Sequence, residues 1–301
     1  MPTQIEALEV DEFTTAIAGL EIDYVRTDTG DGPCRMTVAG TDAGKLSVGS
    51  VGFSTISRTD VPDGLVVFSL INSTPPGGVW CGVDLTVGQL NVYGPGTSFV
   101  GVNPAGLGAS FLAVGLDSIE RAAADLGSTL VASSSVQPLP SRPSVERLRG
   151  AMRRASARPE MLDDVRLASI IVDAAVGVLT DEESSDADRH RRLDSKKIVL
   201  ACLEFVESID CHQPAMTDLR RAACVSESRV RQAFIEVLNV SPTRYFQYRL
   251  LSRLRDDLLQ ADPTQETVTR IASSLGVTQL GRIAGRYRQL FEELPSDTLR
   301  R

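Results

Sequence analysis

Residues 226–258 read SESRVRQAFIEVLNVSPTRYFQYRLLSRLRDDL, and they indicate a helical fold for the last third of the chain. Its apolar residues recur at spacings of three and four, which is the pattern of one buried helix face. Ser226 is suited to cap the start of this helix, and Thr217 is suited to cap a shorter helix just before it. The segment NVSP at 239–242 ends the helix, and a long connecting helix is predicted to follow.

The same pattern recurs in residues 275–301, which read LGVTQLGRIAGRYRQLFEELPSDTLRR. Gly276 supplies a sharp turn, because glycine adopts a positive φ at little cost. Thr278 is the predicted N-cap of the next helix, which runs to Phe291. The residues predicted to face inward on this helix are Leu280, Ile283, Tyr287 and Leu290. Two helix-turn-helix units on a helical connector match two successive major grooves of DNA.

One side of the helix after Ser226 is polar and carries side chains that suit base reading. Ser228, Arg231 and Gln232 share this side, with Arg229 beside them. Arginine can fork onto guanine and glutamine onto adenine, so such residues near a helix N-terminus suit a major-groove reader. A solvated charged face is the alternative interpretation of the same pattern.

The segments SESRVRQAF, VSPTRYFQYRLLSRLRDDLL and LGVTQLGRIAGRYRQLFEELPSDTLRR together resemble the AraC/XylS family of transcription regulators. The resemblance covers residues 195–301, a third of the chain. It implies a DNA-binding domain with two helix-turn-helix units, and it implies double-stranded DNA and RNA polymerase as partners. It also implies a variable N-terminal domain that senses a small-molecule effector and mediates homodimer formation.

The resemblance also implies which residues contact DNA. In the first unit the base-reading positions fall on Ser228, Arg231 and Gln232, with Arg229 adjacent. In the second unit they fall on Leu280, Gly281, Ala284 and Gly285, which offer almost no hydrogen bonds to base edges. Arg282, Arg286 and Arg288 flank these positions and are expected to reach phosphates. The remaining predicted contacts are Arg244, Thr278 and Gln279. The first unit is therefore expected to read bases and the second to position the protein.

Two residues depart from the family pattern, which commonly has glycine after each recognition helix. Asn239 and Glu292 stand at these positions. Asparagine tolerates the left-handed conformation and glutamate does so poorly. The end of the second unit is therefore expected to be strained or to have a different shape.

The formal net charge of −8 conceals an uneven distribution of charge. Residues 195–301 contain 16 Lys and Arg against 13 Asp and Glu, and the rest of the chain contains 15 against 26. Phosphates respond to the local field of one face and not to the average over the chain. The charge distribution therefore permits DNA binding without proving it.

The N-terminal part, residues 1–140, is predicted to be β-rich and to sense an effector. Short apolar runs at 46–53, 65–71, 88–93 and 110–116 are bounded by Gly, Pro, Asn or Asp, which is typical of strands. Helices are predicted from Glu9 to Gly19 and after Asp117. The fold class is therefore multidomain α+β, with a β-rich sensor-like domain, a helical connector and a C-terminal all-α domain.

The helical connector spans 141–181, and a flexible linker is predicted over 182–194, before the DNA-binding domain at 195–301. From Val165 to Leu179 the connector has a single apolar stripe. This stripe can pack on the β-rich domain or pair with the same helix of a second subunit.

An enzyme is not expected, and no catalytic residue, metal site or cofactor is predicted. The only histidines are His190 and His212, both outside the β-rich part, and the five cysteines form no CxxC pair. Trp80 and Cys81 are weak candidates for lining an effector pocket, and ordinary core packing is the alternative. A cytoplasmic location is expected, because no apolar run is long enough to span a membrane. Control by a protein partner or by abundance alone is the alternative to a small-molecule effector.

Overall fold

The computed structural model describes residues 3–7, 19–30, 32–41, 44–125, 127, 139–158, 165–180, 187–209 and 213–301. The predicted helix from Glu9 lies outside these residues, apart from Gly19 at its end. None of the described helices is both long and apolar enough to cross a membrane.

The described N-terminal part is a sandwich of two antiparallel sheets. Its strands are β1 (Thr3–Ala7), β2 (Glu21–Arg26), β3 (Cys34–Thr41), β4 (Gly44–Ser50), β5 (Thr55–Asp60), β6 (Leu65–Ser73), β7 (Val79–Trp80), β8 (Val83–Asp84), β9 (Leu90–Tyr93), β10 (Ser98–Asn103) and β11 (Gly108–Gly115). The six-stranded sheet has the order β1-β3-β4-β11-β6-β9, and the five-stranded sheet has the order β2-β5-β10-β7-β8. The four predicted strands are confirmed as β4, β6, β9 and β11, with small differences in their bounds.

The core between the two sheets follows from the alternation of side chains along each strand. On β10, Phe99 points inward and packs with Trp80, whereas Val100 belongs to a separate apolar cluster on the outer face. Gly101 lies against the Trp80 indole, and a Cβ there would come within 2.3 Å of Trp80 Cδ1. Glycine at this position therefore makes room for the only tryptophan of the chain.

Three helices cover the outer face of the six-stranded sheet. They are α1 (Leu116–Asp125), α2 (Pro143–Ala157) and α3 (Val165–Thr180). The helix predicted after Asp117 is thus confirmed. Ala175, Val176 and Leu179 of α3 are buried in the same cluster as Phe68 of the sheet. The described part of the apolar stripe therefore packs on the β-rich domain and does not offer a face to a second subunit.

The C-terminal part contains only helices among its described residues. They are α4 (Ala187–Ser208), α5 (Met216–Ala222), α6 (Glu227–Leu238), α7 (Pro242–Gln260), α8 (Val268–Ser274), α9 (Leu280–Phe291) and α10 (Pro295–Thr298). The prediction of a flexible linker up to residue 194 is wrong from Ala187 onward. The sequence ADRHRRLD lacks an apolar stripe, but it also lacks glycine and proline and is rich in residues that favour helices.

The two parts of the protein share an apolar core. Val25, Ile56 and Val100, on the outer face of the five-stranded sheet, belong to one buried cluster with residues of α4, α5, α6 and α7. Ion pairs flank this cluster, because Arg58 and Arg249 lie 2.8 Å and 3.4 Å from carboxylate oxygens of Glu207. The first helix-turn-helix unit therefore docks directly on the sheet that carries Trp80.

Candidate nucleic-acid interface

The first unit consists of α5, a tight turn and α6. Cys224 makes the turn with a φ of 54°, which is left-handed and uncommon for a non-glycine residue. Ser226 then caps α6 as predicted, accepting a hydrogen bond from the Arg229 backbone N–H at 3.2 Å. The prediction that Thr217 caps the preceding helix is wrong, because α5 already begins at Met216 and Ala215 is its N-cap.

The second unit consists of α8, a turn and α9. Gly276 has a φ of 76°, so the predicted sharp turn is confirmed. Thr278 is not the N-cap of α9, which begins only at Leu280. Gln279 occupies the cap position without a side-chain cap bond, since its Oε1 accepts a hydrogen bond from Arg282 Nη1 at 2.9 Å. The N-terminus of α9 is therefore capped less well than that of α6.

Both recognition helices end in a left-handed residue, as the family pattern implies. Asn239 has a φ of 55° and Glu292 a φ of 61°. Next to the strained Glu292, the Glu293 carboxylate pairs with the buried Arg255 and accepts a hydrogen bond from Thr298 Oγ1 at 2.8 Å. Burial alone raises the pKa of Glu293, but the bonds from Thr298 and Arg255 outweigh it and lower that pKa. These contacts hold the backbone in place directly after the strained Glu292.

Helix α7 connects the two units and keeps their separation constant. Its 19 residues give a length of roughly 28 Å at 1.5 Å per residue. Tyr245 contacts the core of the first unit, and Leu254 and Leu258 are buried in the core of the second. Since successive major grooves lie about 34 Å apart on one side of DNA, a rigid helix of this length suits a two-groove reader.

The predicted base-reading residues of α6 differ in the exposure of their side chains and in their contacts with the rest of the protein. Ser228, Arg231 and Gln232 are exposed, and the Arg231 side chain keeps 50% of its surface accessible. Arg229 is half-buried, and its Nη2 donates a hydrogen bond to Ser195 Oγ at 2.8 Å. The structure thus presents three of the four residues outward and attaches the fourth to α4.

The predicted contact residues of the second unit lie mostly on one accessible side of α9. Thr278, Gln279, Gly281, Arg282, Gly285 and Arg288 are exposed, whereas Leu280, Ala284 and Arg286 are half-buried. Leu280 packs against the core of the second unit, in line with the inward position that the periodicity predicted. Of the predicted base-reading positions, only Gly281 and Gly285 are exposed, and they offer no side-chain groups to base edges, whereas the exposed arginines lie at the flanking positions 282 and 288.

A groove of about 590 Å³ joins the two units on one side. It brings together Arg244 and Arg286, and it is also lined by the loop at 27–29 of the N-terminal part. Sequence reasoning missed Gln247 and Gln289, which line the same groove. Gln247 follows Thr243 at spacing i+4, and Gln289 follows Arg286 at spacing i+3, so each glutamine shares a helix face with a residue of the groove. These spacings are the sequence signal that could have identified the two glutamines.

The two residues predicted as candidates for an effector pocket, Trp80 and Cys81, have different positions in the structure. The Trp80 side chain lines a cavity of about 40 Å³ between the sheets, and its Nε1 donates a hydrogen bond to Asn103 Oδ1 at 2.8 Å. Asn103 in turn donates to Thr55 and Ser57. Cys81 is buried with a φ of 50°, and burial raises the pKa of its thiol, with a smaller opposing effect of Lys196. The structure thus places Trp80, but not Cys81, in the wall of the cavity.

Comparison with known proteins finds relatives of the C-terminal part. A family described as "Helix-turn-helix domain" matches residues 219–301. The "Probable thc operon regulatory protein" of Rhodococcus erythropolis is 33% identical over 103 residues, 34% of this chain and 31% of that protein. The "XylDLEGF operon transcriptional activator" of Pseudomonas putida is 32% identical over 98 residues, 33% of this chain and 30% of that protein. The match thus spans about a third of the length of these relatives, and the resemblance to AraC/XylS regulators is confirmed for this part.

Two solved structures align with this chain at low identity and low TM-score. The AraC-like transcriptional activator CuxR is 10% identical, covers 99% of both chains and has a TM-score of 0.40. ToxT from Vibrio cholerae O395 is 12% identical, covers 93% of this chain and 97% of its own, and has a TM-score of 0.29. At these TM-scores neither superposes on this structure as a whole.

Proposed function

The C-terminal third of this chain is an AraC/XylS-type helix-turn-helix region, and from it we propose that the protein is a sequence-specific DNA-binding transcription regulator. The observation that carries this proposal is the pair of accessible recognition helices, α6 and α9, at the two ends of the connecting helix α7. RNA polymerase is the expected partner on the promoter. The local excess of basic residues in 195–301 supports attraction to the phosphate backbone.

We further propose that the two units divide the work of recognition. Arg231 and Gln232 on α6 read base edges, because both are exposed and both can make hydrogen bonds with them. Arg288 on α9, together with Arg244 and Arg286 in the groove, contacts phosphates and sets the register on the duplex.

A mobility-shift experiment tests DNA binding with the full chain. The purified protein is titrated against the DNA fragment upstream of its own gene, at low salt, with an unrelated fragment of equal length as competitor. Selective retardation of the upstream fragment that weakens steeply with added salt supports the proposal. Equal retardation of both fragments, or none with each candidate effector added, contradicts it.

For regulation, we propose that a small molecule binds between the two sheets and acts through the docked interface. Tyr24, Asn103 and Phe111 line the cavity with both polar and apolar groups, as in many ligand sites. Val100 follows Phe99 directly on β10, and its side chain packs on the DNA-binding part. A ligand that moves the inner face of β10 therefore alters the docking surface of the first unit.

The volume of the cavity favours a second candidate, control by a protein partner or by abundance. At about 40 Å³ the cavity is far below the roughly 300–1,000 Å³ of typical ligand sites, so an effector has to part the sheets. Thermal unfolding of the full chain with a metabolite set separates the candidates, because a ligand that binds only the folded form raises Tm. A rise in Tm that is lost in Asn103→Ala supports the effector. If no compound raises Tm while the protein still binds its promoter, the second candidate is favoured.

The predicted homodimer stays a proposal, because the described part of the α3 stripe, from Val172 to Leu179, packs on the β-rich domain. Sedimentation of the full chain, alone and on a promoter fragment, measures the oligomeric state. A monomer under both conditions contradicts the proposal.

A further inference from the structure

Glu236, in the last turns of α6, is the centre of a hydrogen-bonded cluster beneath the exposed recognition surface. Its Oε1 accepts a bond from Gln232 Nε2 at 2.8 Å, and its Oε2 accepts a bond from Ser195 Oγ at 2.5 Å. Arg229 Nη1 lies 3.4 Å from the same Oε2, and Arg229 Nη2 donates to Ser195 Oγ at 2.8 Å. The cluster joins two residues of the recognition surface to each other and to helix α4.

The cluster determines which end of the Gln232 amide is free. An ionised carboxylate only accepts hydrogen bonds, so the amide nitrogen of Gln232 has to face Glu236. Burial alone raises the pKa of Glu236, but the bonds from Ser195 and Gln232 and the charge of Arg229 lower it, which keeps the carboxylate ionised. The amide nitrogen keeps a second N–H, but turning both ends of the amide towards one base competes with the bond to Glu236, so the carbonyl oxygen is the group that meets DNA without breaking that bond.

A lone acceptor selects a different set of bases from a free glutamine. A free amide forks onto adenine, donating to N7 and accepting from N6. An oxygen alone accepts from any base that presents an amino group in the major groove, which means adenine N6 or cytosine N4. Gln232 bound to Glu236 and Gln232 free of Glu236 are therefore expected to prefer different bases at the same base pair.

The same cluster restrains Arg229. Its side chain keeps only 27% of its surface accessible, and two of its nitrogens already have partners in Ser195 and Glu236. An arginine held in this way is withdrawn from phosphates and from guanine. Arg231, the other arginine of α6, keeps 50% of its surface accessible and lies 4.0 Å from Glu227.

We propose that Glu236 is a positioning residue that sets the base specificity of α6, by making Gln232 an acceptor for the amino group of adenine or cytosine and by holding Arg229 off the DNA. This proposal rests on the proposed function, since it concerns how the same surface reads DNA. It adds a residue that itself touches no base.

The test is selection of bound sequences from a randomised duplex library with the full chain. Gln232→Ala first identifies the base pair that Gln232 reads, as the position where its preference disappears. The wild type is expected to select adenine and cytosine there. Glu236→Ala is expected to shift the preference to adenine alone, by roughly tenfold over cytosine, because the freed amide makes the forked contact. Glu236→Gln keeps an acceptor oxygen for the Gln232 amide and is expected to shift the preference less.

A second measurement, the salt dependence of DNA affinity, reports on Arg229. In Glu236→Ala the released guanidinium can reach a phosphate, so the slope of log affinity against log salt is expected to steepen by about 0.9. Glu120→Gln is the control, because it removes the same charge from an exposed position on α1 and contacts neither Arg231 nor Gln232. It is expected to leave both the salt slope and the base preference unchanged.

The outcomes separate this proposal from the proposed function. If the Glu236 variants bind all sequences more weakly with an unchanged preference, Glu236 only holds α6 on α4 and the inference is wrong. The inference also fails if Gln232→Ala changes the preference at no position, although DNA binding then still stands. If the wild type enriches no sequence at low salt, the proposed function fails as well.

Discussion

Replacing Arg231 by alanine separates base reading from fold stability more cleanly than other changes on α6. The guanidinium is half exposed and lies 4.0 Å from Glu227, and such a surface pair contributes about 0–1 kcal/mol to folding. The free energy of unfolding is therefore expected to change by less than about 1 kcal/mol. A forked contact with guanine is worth about 1–3 kcal/mol, so affinity for the preferred site falls by roughly 5–150-fold.

The loss in Arg231→Ala is expected to depend on sequence. Once the arginine is gone, the preferred site and a site changed at the contacted base pair bind about equally well. Arg288→Ala on α9 is expected to behave differently, because a phosphate contact carries no sequence information. It weakens binding to all sites by a similar factor and lowers the magnitude of the salt slope by about 0.9.

The assay is a fluorescence anisotropy titration of labelled duplexes at several salt concentrations, with the preferred site and its single-base variants. Arg121→Ala, an exposed arginine of α1 in the N-terminal part, is the matched control for loss of one positive charge. The opposite result, a uniform loss with Arg231→Ala and a loss of base preference with Arg288→Ala, would contradict the proposed roles of the two helices.

Further expectations concern stability and the sandwich core. Glu292→Gly is expected to raise the free energy of unfolding by about 1 kcal/mol, since glycine relieves the left-handed strain; a loss in urea denaturation would contradict this. Arg255→Met is expected to cost about 1–3 kcal/mol by the same measurement, because it removes the buried partner of Glu293 and leaves only the exposed Arg301, 2.6 Å away, and Thr298; an unchanged midpoint would be the contrary result. The lowered pKa of Glu293 gives stability that is present above its ordinary value of 4.5 and is lost as pH falls through the lowered value. Glu293→Gln should therefore flatten the loss of stability below that pH, and parallel pH profiles would argue against it. Gly101→Ala is expected to cost about 1–3 kcal/mol and to shift the emission of Trp80, because its Cβ would lie 2.3 Å from the indole; unchanged emission would show that the core yields elsewhere.

The helix-turn-helix units could be predicted because their signals are local. A capping residue, an apolar face and a helix-ending residue lie within one short segment, as with Ser226 and Asn239 at the two ends of α6. Where the prediction was wrong, the competing interactions were also short-range. Gln279 occupies the cap position that Thr278 was expected to fill, because α9 begins two residues after Thr278.

The pairing of strands in the N-terminal part could not be predicted from local sequence patterns. Strand pairs such as β2 with β5 and β11 with β4 join segments far apart in the sequence, and β7 and β8 have only two residues each. Several strands contain serine, threonine and glycine, so their apolar content is too low to mark them as strands. Their pairing depends on which faces can be buried together, and that is settled only when the two sheets pack.

Local patterns in the sequence are enough to predict α6 and α9, the exposed positions of Arg231 and Arg288, and an apolar stripe in residues 165–179. The packing of the described part of that stripe on the sheet, the contact of Val100 with the first unit, and the bonds from Arg229 to Ser195 and Glu236 depend on the tertiary fold. The two kinds of feature differ in the sequence separation of the interactions that form them. Helix periodicity and capping act over a few residues, whereas Ser195 meets Arg229 and Glu236 across 34 and 41 positions, and such contacts form only when separate helices pack together.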